Sequence, residues 1–181
     1  MTFAFRRACA AASIAVVLAA GCAAPAPPAP PAQMSAPFNA ADVAWSAAPG
    51  TATVEGRAAI AAGGVSHTCA GSEAQLVPAG TYASEMMRMV FGNDARGYVT
   101  LASSPRYPAS IAPDFSRTIR RVGCDADGRF RFAGVPAGRW YVFSNVIWAS
   151  AGGEGGAPQG GALMQRVEVA EGARANVLLA P

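Results

Sequence analysis

The side chains best suited to chemistry are few and lie close together in the sequence. His67 is the single histidine of the 181 residues, and Ser66, Cys69 and Ser72 lie within five residues of it. A nucleophilic serine or cysteine needs a general base, and His67 is the natural candidate. The chain lacks the Gly-x-Ser-x-Gly pattern of a nucleophile elbow. We therefore predict no catalytic residue and no enzymatic activity, and keep a hydrolase as the less favoured alternative.

The same residues make a poor metal site. Structural zinc takes four protein ligands and catalytic zinc usually three, whereas His67 and Cys69 supply two. Asp125 and Asp127 begin like a calcium loop, but the later ligands of such a loop, including its terminal glutamate, are missing. We expect a tight turn that ends at Gly128, because aspartates bond to local backbone donors and glycine accepts a positive φ. No metal and no other cofactor is predicted.

The N-terminal residues have the order of an export signal. Arg6 and Arg7 precede an apolar run over residues 8–20, which is shorter than the roughly 20 residues that span a bilayer. Small residues then lead to Cys22, and this order resembles the lipobox of bacterial lipoproteins. The resemblance implies that residues 1–21 are a cleaved signal peptide and that Cys22 is lipidated. An ordinary signal peptide with a chance cysteine and a twin-arginine signal are the alternatives.

Residues 22–38 are rich in proline and alanine and predict a tether. Proline fixes φ and lacks an N–H donor, which favours an extended polyproline II segment, and plain disorder is the alternative. By resemblance to enterobacterial sorting, Ala23 after the lipidated position favours the outer membrane over the inner one. The expected location is the cell envelope, on the periplasmic side of the outer membrane, with the lipid as the membrane contact.

Two cysteines stay in the exported domain. Cys9 leaves with the signal and Cys22 takes the lipid, so Cys69 and Cys124 are left. An even pair in an oxidising compartment predicts a disulfide. That bond closes a loop of roughly 55 residues. Two free thiols or a metal pair are the alternatives.

The net charge argues against a nucleic-acid partner. The 14 basic residues are all arginines, and Arg6 and Arg7 lie in the predicted signal. The remaining 12 arginines face 11 acidic residues, so the mature net charge is about +1. Nucleic-acid binding needs a concentrated basic field, and we expect none in this chain.

Alternating polar and apolar residues predict an all-β domain over residues 39–181. We expect a single antiparallel two-sheet sandwich of about seven strands. An insertion at about 80–117 is predicted to hold one short helix over 82–91, ended by Gly92, and a proline-rich loop. The predicted strands are 51–60, 73–78, 118–122, 129–132, a central strand at 139–148, and a closing hairpin of 164–169 and 175–179.

Residues 124–142 carry a recognisable sequence, CDADGRFRFAGVPAGRWYV. It resembles the signature of carboxypeptidase regulatory-like domains, which are small prealbumin-like (transthyretin-like) β-sandwiches. Residues 54–58, 167–169 and 176–179 match the positions of that family's first and last strands, whereas the insertion and Cys124 depart from its pattern. The resemblance implies the fold and an accessory or binding role. A purine-catabolic hydrolase of the same fold uses several histidines and a Tyr-Arg-Gly-Ser-like tail, which this chain lacks.

Exposed aromatic and arginine side chains are the candidate ligand-binding residues. Trp148 and Tyr141 offer rings for stacking on sugars, and Arg120 and Arg121 offer cations for an anionic lipid head group or an acidic glycan. We expect the arginines of neighbouring strands to lie on an ordinary solvated face. The alternative is one cationic stripe formed by Arg117, Arg120, Arg121, Arg129, Arg131 and Arg139. The predicted function is a lipid-anchored, non-catalytic structural or binding module with an envelope protein or a glycan as partner. A carbohydrate- or peptidoglycan-binding module is the first alternative.

Overall fold

A computed structural model describes residues 33–103, 107–150 and 156–181. The predicted signal peptide, the lipidation at Cys22 and most of the predicted tether lie outside the described residues. Among the helices within these ranges, none combines the length and the apolar character needed to cross a bilayer.

The described residues form helices and strands in the following chain order. They are a 3₁₀ helix (Ala40–Ala47), β1 (Ala52–Ala62), β2 (Val65–Thr68), β3 (Glu73–Pro78), α1 (Thr81–Phe91), β4 (Arg96–Thr100), α2 (Pro113–Thr118), β5 (Arg120–Gly123), β6 (Arg129–Val135), β7 (Gly138–Ala149), β8 (Pro158–Val169) and β9 (Arg174–Leu179).

The nine strands of these ranges form two sheets packed face to face. In the four-stranded sheet, β1 pairs antiparallel with β2 and β6 and parallel with β9. The five-stranded sheet has the order β4-β8-β7-β3-β5, and every neighbouring pair in it is antiparallel. The all-β two-sheet sandwich is therefore confirmed, with nine strands rather than about seven.

The core lies between the two sheets and follows the alternation in the sequence. In β6, Phe130 and Phe132 are buried while Arg129 and Arg131 are exposed, because successive side chains of a strand point to opposite faces. A side chain at Gly56 on β1 has no space, since a Cβ there would lie 2.1 Å from the Val177 carbonyl oxygen and 2.9 Å from the ring of Phe130. β7 lies between β3 and β8, which confirms its predicted central place.

The two helices form a third layer on the outer face of the five-stranded sheet. Tyr82 and Met87 of α1 and Phe115 of α2 pack with Tyr141 and Met164 of the sheet. The helix predicted over 82–91 is confirmed at Thr81–Phe91. It ends at Gly92, whose φ is 76° and whose N–H donates to the Arg88 carbonyl at 2.9 Å.

Residues at the end of the predicted tether also lie against these helices. The ring of Phe38 is 5.7 Å from that of Tyr82 and 5.5 Å from that of Phe115, measured between centroids. The backbone N–H and the hydroxyl of Ser35 donate to the carboxylate of Glu85 at 2.7 and 2.8 Å. Packing with the sandwich domain thus begins before Asn39.

The insertion holds more structure than predicted. Besides α1 it contains β4, an edge strand paired with β8, and the short helix α2. Gly97 weakens the alternation of β4, and the space of its missing side chain is filled by the ring of Phe91. A five-residue edge strand with a glycine second in line has too little pattern to stand out from a loop.

The predicted closing hairpin is wrong. β8 lies in the five-stranded sheet, whereas β9 crosses to the other sheet and pairs parallel with β1, from Thr53 opposite Arg174 to Ala58 opposite Leu179. The connecting turn includes Gly172 at a φ of 69°. The Ala173 carbonyl accepts the N–H of Thr53 at 2.9 Å, which starts the new pairing. The predicted turn is present, but a turn signal does not specify which sheet the next strand joins.

Candidate functional site

The two cysteines of the domain form the predicted disulfide. Cys69 follows β2 and Cys124 follows β5, and their sulfur atoms are bonded to each other. Because β2 and β5 belong to different sheets, the bond joins the two halves of the sandwich. Neither sulfur is available as a nucleophile or a metal ligand while the bond is intact. Across the described parts of the chain, no three His, Cys, Asp or Glu side chains cluster as metal ligands.

His67, two residues before the disulfide, takes part in an aromatic stack. Its ring lies parallel to the indole of Trp148, with centroids 4.0 Å apart and an interplanar angle of 7°. His67 belongs to β2 and Trp148 to β7, so the stack links the two sheets near one end of the sandwich. The imidazole supports one face of the indole.

A cavity of about 520 Å³ opens beside Trp148 at this end of the sandwich. We call it the end pocket. It lies where β1, β4, β7 and β8 terminate, and its lining includes Tyr98, Thr100, Leu101, Trp148, Gln159 and Gly160. Its volume is within the range of small-molecule sites, roughly 300–1,000 Å³.

The shape of the end pocket depends on a glycine. Gly160 has a φ of 101°, and a Cβ there would lie 2.0 Å from the Val146 carbonyl oxygen and 2.7 Å from the ring of Trp148. The imidazole of His67 stacks on the indole, and Gly160, at a φ that favours glycine, brings the backbone of β8 close to the same ring. No local pattern in the sequence marks Gly160 for this role. Its place opposite Ile147, at the aromatic end of β7, follows from the strand register, which only the structure shows.

The side chains of the end pocket are aromatic, apolar or uncharged polar groups. Tyr98 and Trp148 present ring surfaces, and Leu101 adds apolar area. The amide of Gln159 supplies a hydrogen-bond donor and acceptor. The hydroxyl of Thr100 donates to Ser103 Oγ at 3.1 Å and accepts the Ser103 N–H at 3.0 Å, so it shapes the rim of the pocket. The described side chains that line the pocket carry no charge. A ligand with apolar faces and neutral polar edges is complementary to such a surface.

Tyr141 does not belong to the end pocket. Its ring is fully buried beneath α1, so it offers no surface for stacking. Its hydroxyl shares a 2.8 Å hydrogen bond with that of Ser84 and lies 3.5 Å from a carboxylate oxygen of Asp94. Arg88 and Arg166 also pair with Asp94, at 3.1 and 3.2 Å. These polar groups thus bond to one another.

Arg120 and Arg121 point to opposite sides of β5. The guanidinium of Arg120 donates to the carbonyls of Ala133 and Gly134 at 2.6 and 3.0 Å, and so connects the two sheets. Arg120 is two residues before Val122 and four before Cys124, which places all three on the inner face. That spacing is the sequence signal for its structural role. Arg121 points outward, toward the helical layer.

The six arginines do not form one stripe. Arg129 and Arg131 lie on the outer face of the four-stranded sheet, away from the inward Arg120. Arg129 pairs with Asp127 at 2.7 Å, and Glu55 lies 4.0 Å from Arg131 and 3.7 Å from Arg174. Mixed charges of this kind are typical of a solvated sheet face.

Trp148, Tyr141, Arg120 and Arg121 thus lie in separate places, and only Trp148 lines the end pocket. The fold and this pocket define a disulfide-bonded β-sandwich with an aromatic cavity at one end.

One of the comparisons with known proteins supports the fold. No family model matches the chain, and no curated protein matches it. A solved structure from Pseudomonas aeruginosa matches 80% of this chain and 97% of its own chain, with a TM-score of 0.68 and 21% sequence identity. That protein is one for which carbohydrate binding has been suggested. At this identity the match shows a shared fold.

Proposed function

We propose that this protein is a glycan-binding module and that the end pocket is its contact surface. The observation that carries the proposal is the fixed indole of Trp148. It is half-buried, supported by His67 and Gly160, and adjacent to Tyr98 and the neutral polar groups of the pocket. Sugar rings present C–H faces that pack on aromatic rings, and hydroxyl groups that exchange hydrogen bonds with amides and hydroxyls. A pocket lined by uncharged side chains fits a neutral sugar.

The Pseudomonas aeruginosa structure supports this proposal from outside the chain. The suggestion of carbohydrate binding for that protein agrees in kind with the aromatic end pocket. The agreement is limited to fold and ligand class, since a fold by itself hosts many functions.

The proposal includes a location. We infer a lipoprotein of the cell envelope, anchored through Cys22 and built on a carboxypeptidase regulatory-like sandwich. The order of basic, apolar and small residues before Cys22 supports the anchor, and the disulfide suits an oxidising compartment. An envelope location makes peptidoglycan the glycan nearest at hand. Catalysis is not part of the proposal, because His67 is stacked on Trp148 and Cys69 is oxidised.

Sedimentation with peptidoglycan sacculi tests the glycan-binding role. We expect the purified full chain to sediment with sacculi, and Trp148→Ala to lower the apparent affinity roughly tenfold, equivalent to about 1.4 kcal/mol. Tyr107→Ala is the matched control, because Tyr107 is an exposed aromatic residue outside the end pocket. A folded Trp148→Ala variant that binds like the wild type would overturn the proposal for this site. Failure to bind sacculi and soluble neutral oligosaccharides alike would overturn the glycan-binding role itself.

Metabolic labelling tests the anchor separately. We expect the protein to carry the label when cells that express the full chain are fed radioactive palmitate. The Cys22→Ala variant should lose that label, whereas Cys9→Ala should keep it, because the cleaved signal removes Cys9. Undiminished label on Cys22→Ala contradicts lipidation at this residue and leaves the glycan test unaffected.

A further inference from the structure

A second cavity, of about 290 Å³, lies between α1 and the outer face of the five-stranded sheet. We call it the helix cavity, and it shares no lining residue with the end pocket. Its apolar wall comes from both layers and from the chain before β5: Val77, Met86, Val90, Phe91, Ile119 and Phe143.

The helix cavity lies along the side of α1 that Met86, Val90 and Phe91 border. Near the start of α1, Tyr82 and Ala83 are buried against the sheet cluster. At its end, Phe91 fills the space above Gly97, and its ring lies edge-on to Phe143 with centroids 6.2 Å apart. Between these contacts Met86 borders the cavity. Methionine is unbranched and flexible, so this wall can adapt to the shape of a bound molecule.

One end of the helix cavity is polar and positive. Arg121, Gln75 and Phe143 stand side by side on β5, β3 and β7, in one row across the outer face. Arg121 is the one charged side chain among the described residues that line the cavity. Among all the residues that the structure describes, no carboxylate forms an ion pair with the guanidinium of Arg121. It donates a long hydrogen bond, 3.4 Å, to the Ile119 carbonyl, which leaves most of its donors directed elsewhere.

We propose that the helix cavity binds a small amphipathic carboxylate. The apolar chain occupies the space lined by Met86, Val90 and Phe143, and the carboxylate pairs with Arg121 beside the amide of Gln75. A planar guanidinium donates two parallel hydrogen bonds to a carboxylate, which is the strongest pairing available to this side chain. An uncharged apolar ligand would fill the cavity but leave Arg121 without a partner, which is why we favour a carboxylate.

The volume limits the length of the ligand. An apolar cavity of about 150 Å³ is large enough for benzene, and about 30 Å³ is the liquid volume of one water molecule. By that measure 290 Å³ holds roughly ten non-hydrogen atoms. A straight-chain acid of about eight carbons, such as octanoate, has this size. The proposal does not rest on glycan binding, since the two sites share no lining residue.

Titration calorimetry with matched probes tests the charge preference. We expect octanoate to bind the purified full chain and octylammonium to bind at least tenfold more weakly, because its cation meets Arg121. Arg121→Gln should weaken octanoate binding about threefold to fivefold, because Arg121 is exposed and a solvent-screened pair contributes up to about 1 kcal/mol, and it should leave 1-octanol binding unchanged. Arg117→Gln is the control, since Arg117 is exposed on α2 and pairs with Asp114 at 2.6 Å. Equal binding of octanoate and octylammonium, or no octanoate binding at millimolar concentration, overturns the proposal.

A cavity-filling variant tests the location. Met86→Trp places a larger side chain in the helix cavity and should abolish octanoate binding. If that variant does not fold, the octanoate affinities of Arg121→Gln and Arg117→Gln still test whether the helix cavity is the binding site. Trp148→Ala should bind octanoate like the wild type, and Arg121→Gln should sediment with sacculi like the wild type. The two proposals therefore fail independently of each other, and octanoate binding retained by a folded Met86→Trp variant refutes this one.

Discussion

Removal of the disulfide is the perturbation with the best-defined consequence. Cys69 follows a strand of one sheet and Cys124 follows a strand of the other, so the bond constrains the unfolded chain across the whole insertion. Replacing both cysteines by alanine frees that chain. The native sandwich keeps its strand pairing, because the backbone N–H groups of Cys69 and Cys124 still donate to the carbonyls of Ala58 and Ser72.

The magnitude follows from the loop length. The two cysteines are 55 residues apart, and the chain-entropy relation then gives about 14 cal/mol/K, or about 4 kcal/mol at 25 °C. Cys69 is fully buried, so its replacement by alanine adds a small cavity cost of up to about 1 kcal/mol. We expect the variant to lose about 4–5 kcal/mol, a large part of the roughly 5–15 kcal/mol that stabilises a domain.

Urea unfolding followed by tryptophan fluorescence measures this loss. The free energies of unfolding must be compared by linear extrapolation, because a cross-linked unfolded chain exposes less surface and lowers the slope of the wild type. Reductant supplies the internal control: it should bring the wild type to within about 1 kcal/mol of the variant, the difference being the cavity cost at Cys69, and leave the variant unchanged. A loss below about 1 kcal/mol in the double variant would refute the entropic reasoning.

Two further predictions concern the backbone and the link between the sheets. Arg120→Met should lower the free energy of unfolding by about 1–3 kcal/mol, because it removes two hydrogen bonds from a charged group to carbonyls of β6. Arg117→Met, at an exposed arginine, is the control and should lower it by less than about 0.5 kcal/mol. Equal losses in the two variants would contradict the role of Arg120 in linking the sheets. Gly128→Ala should destabilise more than Gly63→Ala in the same urea assay. Both glycines have a positive φ, 74° and 57°, but only at Gly128 would a Cβ collide, with the side chain of Thr68, and equal losses would show that conformation alone sets the cost.

Periodicity makes most of the sandwich predictable. Phe130 and Phe132 alternate with arginines, and the burial of these four residues of β6 follows that alternation. β7 has apolar residues on both faces, and it is covered by the facing sheet on one side and by the helices on the other. Such patterns are local, because each strand reports its own environment through the polarity of adjacent residues.

Strand partners are not predictable in the same way, because they depend on contacts far apart in sequence. β9 has the same alternating character whether it closes a hairpin with β8 or pairs with β1. The choice depends on how the turn at Gly172 directs the chain and on the free edge of β1, neither of which is encoded in β9 itself. β4 is a similar case, since Gly97 is required by the ring of Phe91 and not by the strand.

The candidate site shows the same division between local and long-range information. Residue type alone identifies Trp148, but the support that makes it a fixed platform comes from His67 on another sheet and from Gly160 on the next strand. Residue type also suggests a base or a ligand at His67, because histidine carries that chemistry in isolation. Its position opposite an indole follows only from the pairing of β2 with β1 and from the way the two sheets face each other.

β7 places the two proposed binding surfaces on opposite sides of one strand. Trp148 and Phe143 are five residues apart, an odd number, so their side chains project to opposite faces. Trp148 accordingly lines the end pocket, and Phe143 lines the helix cavity. The aromatic and uncharged side chains of the end pocket favour a polyhydroxylated ligand, whereas the cation at the helix cavity favours an anionic one. A single central strand can therefore serve two ligands of different chemistry, because alternation keeps their contacts apart.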